Sequence, residues 1–260
     1  MKISPSFRRA LTEIHDGAVL LPIIRGELAR PDFEGFTVPV EAWAEREPDG
    51  WFHPSEHATW SARQLALYAA RPQLAERERP QLTSILAMTQ GKFWHTFFQT
   101  LLAANGILTE AEKPLTDPGH NRRGHMDGLL STGEGFELKT MAEHLIHKVK
   151  TVEDLREHHP GYYAQAQDYL DMAGLAVMRM VIMSPANPYP MTELAIEADE
   201  VFQAAQRRKY RQALAAATGI AEELGDTNAG VPLPEACCVI NSKESKTCPV
   251  RLACPIGSKK

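Results

Sequence analysis

The chain has 260 residues, of which 43% are hydrophobic and 23% are charged, and its formal net charge is −5. These totals are ordinary for a globular protein, and the negative charge excludes a passive nucleic-acid coat, though not an enzyme that meets DNA through a local basic strip. No apolar run approaches the roughly 20 residues of a membrane helix and the first residues lack a secretory signal, so we expect a cytoplasmic protein without a membrane partner.

The first part of the chain predicts two short helices. Residues 20–28 indicate one helix, and residues 31–40 indicate a loop. Ser61 is placed to cap a second helix, which Pro72 ends. Arg63 lies in the first turn of that helix, where it could meet a phosphate, although a solvated arginine is the common case.

A longer helix is predicted over residues 83–105, with Gly106 as its C-terminal stop. Its many apolar residues indicate heavy burial. His95 lies among them, four residues after Gly91, whose missing side chain permits the close approach of another backbone. A histidine on an apolar helix is more often a core residue than a ligand. Because two acidic residues follow shortly in the chain, we favour a ligand role for His95.

Two apolar runs, residues 126–130 and 136–141, flank a Ser-Thr-Gly-Glu-Gly segment. A glycine-containing connection of this length between strand-like runs predicts a β-hairpin. If the hairpin pairs symmetrically about Gly133, Asp127 lies directly across from Lys139. Residues opposite each other have Cβ atoms about 5 Å apart, so these two side chains would meet.

Glu137 brings a second carboxylate to the same face, because alternate residues of a strand point to the same side. Its diagonal separation from Asp127 would be about 7 Å. Two carboxylates at that distance repel each other unless a cation joins them, and hard oxygen ligands suit Mg²⁺ or Mn²⁺. The pattern therefore indicates a metal-dependent phosphodiesterase site. The alternative is turn chemistry at Asp-Gly and a solvated Glu-x-Lys face.

The region after the hairpin begins with residues 141–159, which indicate a polar, partly mobile stretch. A helix then starts at Pro160 and stops at Gly174. Gln165 and Tyr169 are four residues apart and share a face of that helix. Without further context, they would be a surface glutamine and a half-buried tyrosine.

The remaining elements complete an α/β pattern. Residues 175–183 and 192–196 predict strands, and Asp199 caps a long helix that Gly219 ends. The order helix, strand, strand, helix, strand, strand, helix indicates an α/β sandwich with a small mixed sheet.

All cysteines lie near the end of the chain, after a Gly- and Pro-rich linker at residues 225–234. They are Cys237, Cys238, Cys248 and Cys254. In a reducing compartment, such clustering argues for a metal or cluster site rather than disulfides.

The candidate motifs occur in a recognisable order along residues 53–254. They are Gly91 with His95 (G-x-x-x-H), Asp127, Glu137 to Lys139 (E-L-K), and Gln165 with Tyr169 (Q-x-x-x-Y). This set resembles the PD-(D/E)XK nuclease superfamily. More narrowly, it is similar to the RecB-like branch, which includes CRISPR-associated RecB-like exonucleases and phage-encoded relatives.

The resemblance implies a restriction-endonuclease-like core, in which helices flank a small mixed β-sheet. It divides the chain into an N-terminal segment (residues 1–52), the nuclease core (53–224) and a metal-bound, cysteine-rich tail (225–260), within one compact domain overall. The implied activity is that of a DNA exonuclease acting at single-stranded ends in phage or host recombination. A catalytically silent DNA-binding module or an endonuclease on the same core is the alternative.

The resemblance also assigns roles to individual residues. The implied ligands of the Mg²⁺ or Mn²⁺ ion are His95, Asp127, Glu137 and Leu138. Lys139 would position or activate the attacking water and steady the scissile phosphate. Gln165 and Tyr169 would orient the DNA strand and the lysine, and with Arg63 they are the candidate nucleic-acid contacts.

The likeness extends to the tail, since many members of the branch carry an iron–sulfur cluster on C-terminal cysteines. It implies a [4Fe–4S] cluster on Cys237, Cys238, Cys248 and Cys254. If one of the adjacent pair is not a ligand, His53, His57 or an exogenous ligand would complete the set. A structural zinc is the alternative, because four thiolates also satisfy tetrahedral Zn²⁺. The chain departs from the branch in three ways: Met126 stands in place of the motif's proline, Trp60 in place of an N-terminal cysteine, and no C-x-x-C pair is present.

Overall fold

The computed structural model describes residues 17–29, 47–75, 80–186, 189–222 and 248–254. The loop predicted at residues 31–40, together with Cys237 and Cys238, lies outside these ranges. The chain forms two compact units. The first comprises residues 1–44, 80–115 and 125–198, and the second comprises residues 45–79, 116–124 and 199–260.

The helices of the described ranges are α1 (Leu20–Ala29), α2 (Pro54–His57), α3 (Ala62–Ala70), α4 (Leu82–Ala104), α5 (Glu143–Ile146), α6 (Val152–His158), α7 (Pro160–Ala173) and α8 (Glu200–Glu222). The strands are β1 (Leu108–Asp117), β2 (Arg122–Leu130), β3 (Gly135–Thr140), β4 (Val177–Met183) and β5 (Met191–Glu197). None of these helices combines the length and hydropathy that a bilayer crossing requires.

The five strands form one sheet in the order β1-β2-β3-β4-β5. β3 pairs antiparallel with β2 and parallel with β4, and β5 returns antiparallel to β4. The parallel step needs a long connection, which α5, α6 and α7 supply. The predicted α/β class, with a small mixed sheet flanked by helices, is therefore confirmed.

The core of the first unit lies between the sheet and helices α1 and α4. Phe136 and Leu138 of β3 are fully buried there, together with Val181 of β4 and Phe98 of α4. Since side chains alternate along a strand, Glu137 must point to the opposite face of β3. The burial of the apolar residues thus fixes the direction of the acidic side chain.

A buried carboxylate ties α1 to the edge strand β5. The two oxygens of Glu193 accept the backbone N–H groups of Val19, Leu20 and Leu21 at 2.8, 2.9 and 2.9 Å. These N–H groups at the helix start have no intrahelical partner, and the helix dipole also favours negative charge there. Glu193 therefore acts as a cap supplied from a distant part of the chain.

Glu193→Gln is expected to lower the free energy of unfolding by about 2 kcal/mol, because an amide keeps one acceptor oxygen and turns two N–H donors towards the helix start. Urea denaturation followed by circular dichroism measures the effect. Glu197→Gln, at the exposed end of the same strand, is the matched control and should leave the midpoint unchanged. Equal midpoints for the two variants would contradict the capping role.

The second unit is built around α3 and α8. Its buried cluster includes Leu65 and Tyr68 of α3, Tyr210 of α8, and Val250 with Cys254 of the final segment. The helix cap predicted at Ser61 is present as a capping box: its side chain accepts the N–H of Gln64 while the Gln64 side chain accepts the N–H of Ser61.

Three predictions of local structure were wrong. β1 was not predicted, because only Leu108 and Leu115 of its ten residues are buried and the strand pattern is lost. The stretch 141–159 holds α5 and α6, and Thr151 caps α6 with a reciprocal Asp154 contact. Helix α8 continues through Gly219 to Glu222, since Ile220 is buried and extends the packed face.

Candidate metal and catalytic site

The β2–β3 hairpin sets the positions of the acidic residues. Its observed register pairs Gly128 with Phe136 and Leu129 with Gly135. Continued by one step, this register brings Asp127 opposite Glu137, so the predicted pairing of Asp127 with Lys139 was wrong by two residues. The cause is the turn, which closes when the N–H of Leu130 donates to the Glu134 carbonyl at 2.9 Å. A shift of two residues preserves the faces, so the acids still share one side of the sheet.

Asp127 and Glu137 are both buried, at 7% and 2% exposure. The backbone N–H of Leu138 donates to Asp127 Oδ2 at 2.7 Å, and the N–H of Asp127 lies 3.5 Å from Glu137 Oε2. Each acid is thus held by the backbone of the strand that carries the other. The two carboxylates form one rigid unit at this point of the sheet.

Lys139 and Gln165 complete a closed network with Glu137. Lys139 Nζ donates to Glu137 Oε1 at 2.7 Å and to Gln165 Oε1 at 2.9 Å, while Gln165 Nε2 donates to Glu137 Oε1 at 2.8 Å. The lysine side chain is 13% exposed, and its ammonium also lies 5.2 Å from the ring centroid of Tyr162. Strand β3 and helix α7 together therefore hold the ammonium beside the acids.

His95 enters from α4. Its Nδ1 lies 3.0 Å from Asp127 Oδ2. Gly91, one turn earlier, lets the helix approach β3, since a Cβ there would lie 3.3 Å from Thr140 Oγ1. The sequence-based interpretation of Gly91 as a point of close approach agrees with this geometry.

Burial and mutual charge separate the pKa values of the two acids. Burial raises the pKa of Glu137, and the charge of Asp127 raises it further, to about 7. Burial also acts to raise the pKa of Asp127, but His95 and Lys139 outweigh it and hold that pKa below its ordinary value. Asp127 is therefore the ionised member of the pair, and Glu137 stands at the edge of protonation near neutral pH.

The acids also shift the pKa values of the two basic side chains. Burial lowers the pKa of His95 and of Lys139, but in each case the attraction of the acids outweighs it and the pKa lies above its ordinary value. The ammonium of Lys139 is therefore a fixed positive charge next to Glu137.

The described residues contain no group of three or more His, Cys, Asp or Glu side chains already spaced as metal ligands. The chemistry of the donor set nevertheless fits a divalent cation. Asp127, Glu137 and His95 carry carboxylate and imidazole donors of the kinds that divalent cations accept. Burial and the charge of Asp127 raise the pKa of Glu137, and a cation bound between the two carboxylates would relieve that repulsion. Leu138 contributes backbone groups at the same place, while its side chain is buried in the core.

Two other predicted residues, one in each unit, are buried. Tyr169 is 2% exposed on α7, and its predicted role with DNA stays a prediction. Arg63 belongs to the second unit and is 3% exposed, with Nη2 donating to Cys254 Sγ at 3.5 Å. Its predicted phosphate contact also stays a prediction.

The predicted ligands of the tail are partly described. Cys248 is half-buried, and its Sγ lies 3.8 Å from Gln64 Nε2, whereas Cys254 is buried. His53 and His57 are both buried in the same unit, and the N–H of His53 donates to His57 Nδ1 at 2.8 Å. Trp60 stands where the resemblance implies a cysteine. It packs edge-on against the His57 ring, with 4.4 Å between the ring centroids.

Sequence reasoning missed two side chains that touch the network. Gln99 donates to the backbone carbonyl of Asp127 at 2.9 Å, and Tyr162 faces Lys139. A helical-spacing signal existed for both, since Gln99 follows His95 by four residues and Tyr162 precedes Gln165 by three.

The chain matches no protein-family model and no curated protein. Among solved structures, it is similar to the crystal structure of SSO0001, with 14% identity, a TM-score of 0.39, and coverage of 75% of this chain and 82% of that chain. It is also similar to an alkaline exonuclease, LHK-Exo from Laribacter hongkongensis, with 17% identity, a TM-score of 0.38, and coverage of 66% and 90%. For the complex of LHK-Exo with dAMP, the identity is 16%, the TM-score is 0.42, and the match covers 67% of this chain and 91% of that chain. These identities and TM-scores are too low to carry an argument about activity.

Proposed function

We propose that this chain is a divalent-metal-dependent deoxyribonuclease that hydrolyses phosphodiester bonds, acting as an exonuclease at single-stranded ends in phage or host DNA processing. The observation that carries the proposal is the buried network in which Asp127 and Glu137 lie beside the protonated Lys139. Such a set is costly to bury and contributes little to stability, so its assembly is best explained by chemistry.

The metal would be held by His95, Asp127 and Glu137, with Leu138 contributing from the backbone. A bound Mg²⁺ or Mn²⁺ supplies Lewis acidity: it lowers the pKa of a water and neutralises charge on the phosphate. The imidazole makes Mn²⁺ at least as acceptable as Mg²⁺. Asp127 suits the ligand role because it is ionised, and the backbone of β3 fixes its direction.

Lys139 supplies a second positive charge to the phosphate undergoing attack. Two of its three N–H groups are engaged by Glu137 and Gln165, and the third can donate to a water or phosphate oxygen beside the ring of Tyr162, whose centroid lies 5.2 Å from Nζ. Because its pKa is raised, the lysine orients water or phosphate oxygen by donation rather than by removing a proton. Gln165 holds the ammonium and the carboxylate in one geometry, so charge stabilisation needs no rearrangement during the reaction.

The direct test is a digestion time course on end-labelled single- and double-stranded DNA with Mg²⁺, Mn²⁺ or EDTA. We expect single nucleotides or short products to be released progressively from single-stranded ends with either metal, and no products with EDTA. Internal cuts in a circular substrate would replace the exonuclease with an endonuclease. Binding of DNA without degradation in any metal would refute the nuclease and favour a silent binding module.

The cysteine tail is a second proposed metal site. Both described sulfurs receive side-chain N–H groups, Cys248 from Gln64 and Cys254 from Arg63. Hydrogen bonds of this kind surround metal-bound thiolates and tune them. The two residues therefore fit as ligands of a [4Fe–4S] cluster, completed by Cys237 and Cys238 or, for one of these, by His53 or His57. Structural zinc on the same thiolates is the competing occupant.

Anaerobically purified protein is expected to be brown, with iron and acid-labile sulfide in equal amounts, because the thiolates would hold a cubane. Cys254→Ser should lose most of the iron and lower thermal stability, since metal binding contributes folding free energy. Separate Cys237→Ser and Cys238→Ser variants show which of the two cysteines is not a ligand, because the variant that lacks it keeps the iron. Colourless protein that contains stoichiometric zinc would show that the occupant is the structural ion instead.

A further inference from the structure

One residue of β1 has an unfavourable backbone conformation. The backbone of Glu112 has φ 49°, in the left-handed region that residues other than glycine, asparagine and aspartate rarely adopt. It lies inside a strand rather than at a turn or a helix end. Strain of this kind persists when surrounding contacts hold the residue in place, and it clusters at functional sites.

The contact that holds Glu112 leads to the acid pair. Gln99 of α4 is 8% exposed, and its Nε2 donates to Glu112 Oε1 at 2.7 Å and to the backbone carbonyl of Asp127 at 2.9 Å. An amide nitrogen has two N–H groups, so both are used. Gln99 therefore joins a strained residue of one strand to the backbone of the acid on the next.

The close approach of β1 to β2 at this point makes the linkage short. A Cβ on Gly128, the residue after Asp127, would lie 2.3 Å from Leu108 Cδ1 and 2.9 Å from the Glu110 carbonyl oxygen. Only glycine fits there. Because β1 lies so near, the displaced backbone at Glu112 can bring its carboxylate to Gln99.

We propose that Glu112 and Gln99 form a positioning pair for Asp127, an inference that rests on the proposed metal-dependent function. The carboxylate of Glu112 selects the amide orientation in which Gln99 presents N–H, rather than oxygen, to the Asp127 carbonyl. Gln99 thus holds the backbone carbonyl of Asp127, while the N–H of Leu138 holds its carboxylate. Without Glu112, the amide can rotate and the metal ligand loses its fixed direction.

A purely structural role for Glu112 makes a different prediction from a positioning role, and glycine separates the two. Glu112→Gly removes the carboxylate and also relieves the left-handed backbone. The melting temperature of this variant should be equal to or higher than that of the wild type. Its Mn²⁺ affinity should nevertheless fall about tenfold, which is the usual effect of losing a residue that orients a ligand.

The test measures Mn²⁺ binding to the full chain by isothermal titration calorimetry, together with melting temperature. Glu112→Gln keeps an acceptor oxygen and should bind Mn²⁺ like the wild type, whereas Gln99→Met should lose at least as much affinity as Glu112→Gly. Glu110→Gln, an acid of the same strand that contacts Lys113 instead, is the matched control and should be unchanged.

The outcomes distinguish this inference from the proposed function. If the wild type binds Mn²⁺ and Glu112→Gly binds it with the same affinity, the positioning role of Glu112 and Gln99 is overturned, while the proposed function is not. A fall in Mn²⁺ affinity that comes with a lowered melting temperature in Glu112→Gly also overturns it, since the residue would then be structural. A wild-type chain that binds no Mn²⁺ overturns the metal-dependent function and this inference together.

Discussion

Lys139→Met is expected to slow DNA cleavage by about 10²–10³-fold, the usual effect of removing one preorganised donor from a developing negative charge. The methionine retains the length of the side chain but removes the ammonium that donates to Glu137 and Gln165. Glu137 keeps Gln165 as a donor, so the acid remains satisfied and the fold should persist. Initial rates on end-labelled DNA in Mn²⁺ measure the loss.

The control for this variant is Lys113→Met, which removes an ammonium that pairs with Glu110 on β1. It should cleave like the wild type. Circular dichroism and melting curves establish that both variants are folded. Wild-type rates for folded Lys139→Met would remove the lysine from the chemistry.

Glu137→Gln is expected to abolish cleavage and, in the absence of metal, to stabilise the protein at pH 8. The pKa of Glu137 is raised from 4.5 to about 7, so ionising this buried acid costs the folded state free energy. Because the folded state favours the protonated carboxyl, this group contributes its full stability below the unfolded pKa of 4.5. That contribution is lost as the pH rises through the folded pKa of about 7. Glutamine resembles the protonated acid and escapes the loss, which we expect to be worth about 3 kcal/mol at pH 8.

Divalent metal should reverse the order of stability. Mn²⁺ at about 1,000 times its Kd would stabilise the wild type by about 4.1 kcal/mol, because it binds the folded state alone. Glu137→Gln, which lacks a charged ligand, should gain much less. Melting curves at pH 5 and pH 8, with EDTA or Mn²⁺, test both signs. Glu143→Gln, an exposed acid on α5, is the control and should follow the wild type throughout. Identical melting curves for Glu137→Gln and the wild type under all four conditions would contradict the assignment of Glu137 as a buried acid with a raised pKa and as a metal ligand.

The helices were predictable because local signals determine them. Ser61 carries a capping box, Gly174 takes the left-handed φ of 65° that ends α7, and Asp199 accepts the N–H of Phe202 at 2.9 Å. Each signal acts within a few residues of sequence. Gly219 failed as a stop because tertiary packing of Ile220 outweighs the low helix propensity of a single glycine.

The sheet was predictable only where burial leaves a pattern. β4 is mostly apolar and buried, and the first four residues of β3 are buried. Only two of the ten β1 residues are buried and the strand contains Pro114, so its sequence resembles a loop. Missing β1 had a consequence at the site. The alternative of turn chemistry at the Asp-Gly pair stayed open, although Gly128 lies within β2, as the run 126–130 predicted, and makes room for the approaching β1.

The candidate site was predictable where residue spacing alone brings side chains to one face. Alternation along β3 gave the common side of Glu137 and Lys139, and a two-residue error in register left that result intact. The contribution of Gln99 was predictable only in part. Its spacing of four residues from His95 indicates a shared helix face, but its contact with Glu112 depends on the missed strand. Long-range contacts of this kind leave no trace in a single sequence.

The central claim is that Asp127, Glu137 and His95 hold one catalytic divalent ion. Anomalous diffraction from crystals grown with Mn²⁺ tests it most directly. We predict one strong peak bonded to Asp127 and Glu137, with His95 turned from its contact with Asp127 towards the ion. Crystals of fully folded protein in which Mn²⁺ is absent from these side chains, or bound only elsewhere, would contradict the account.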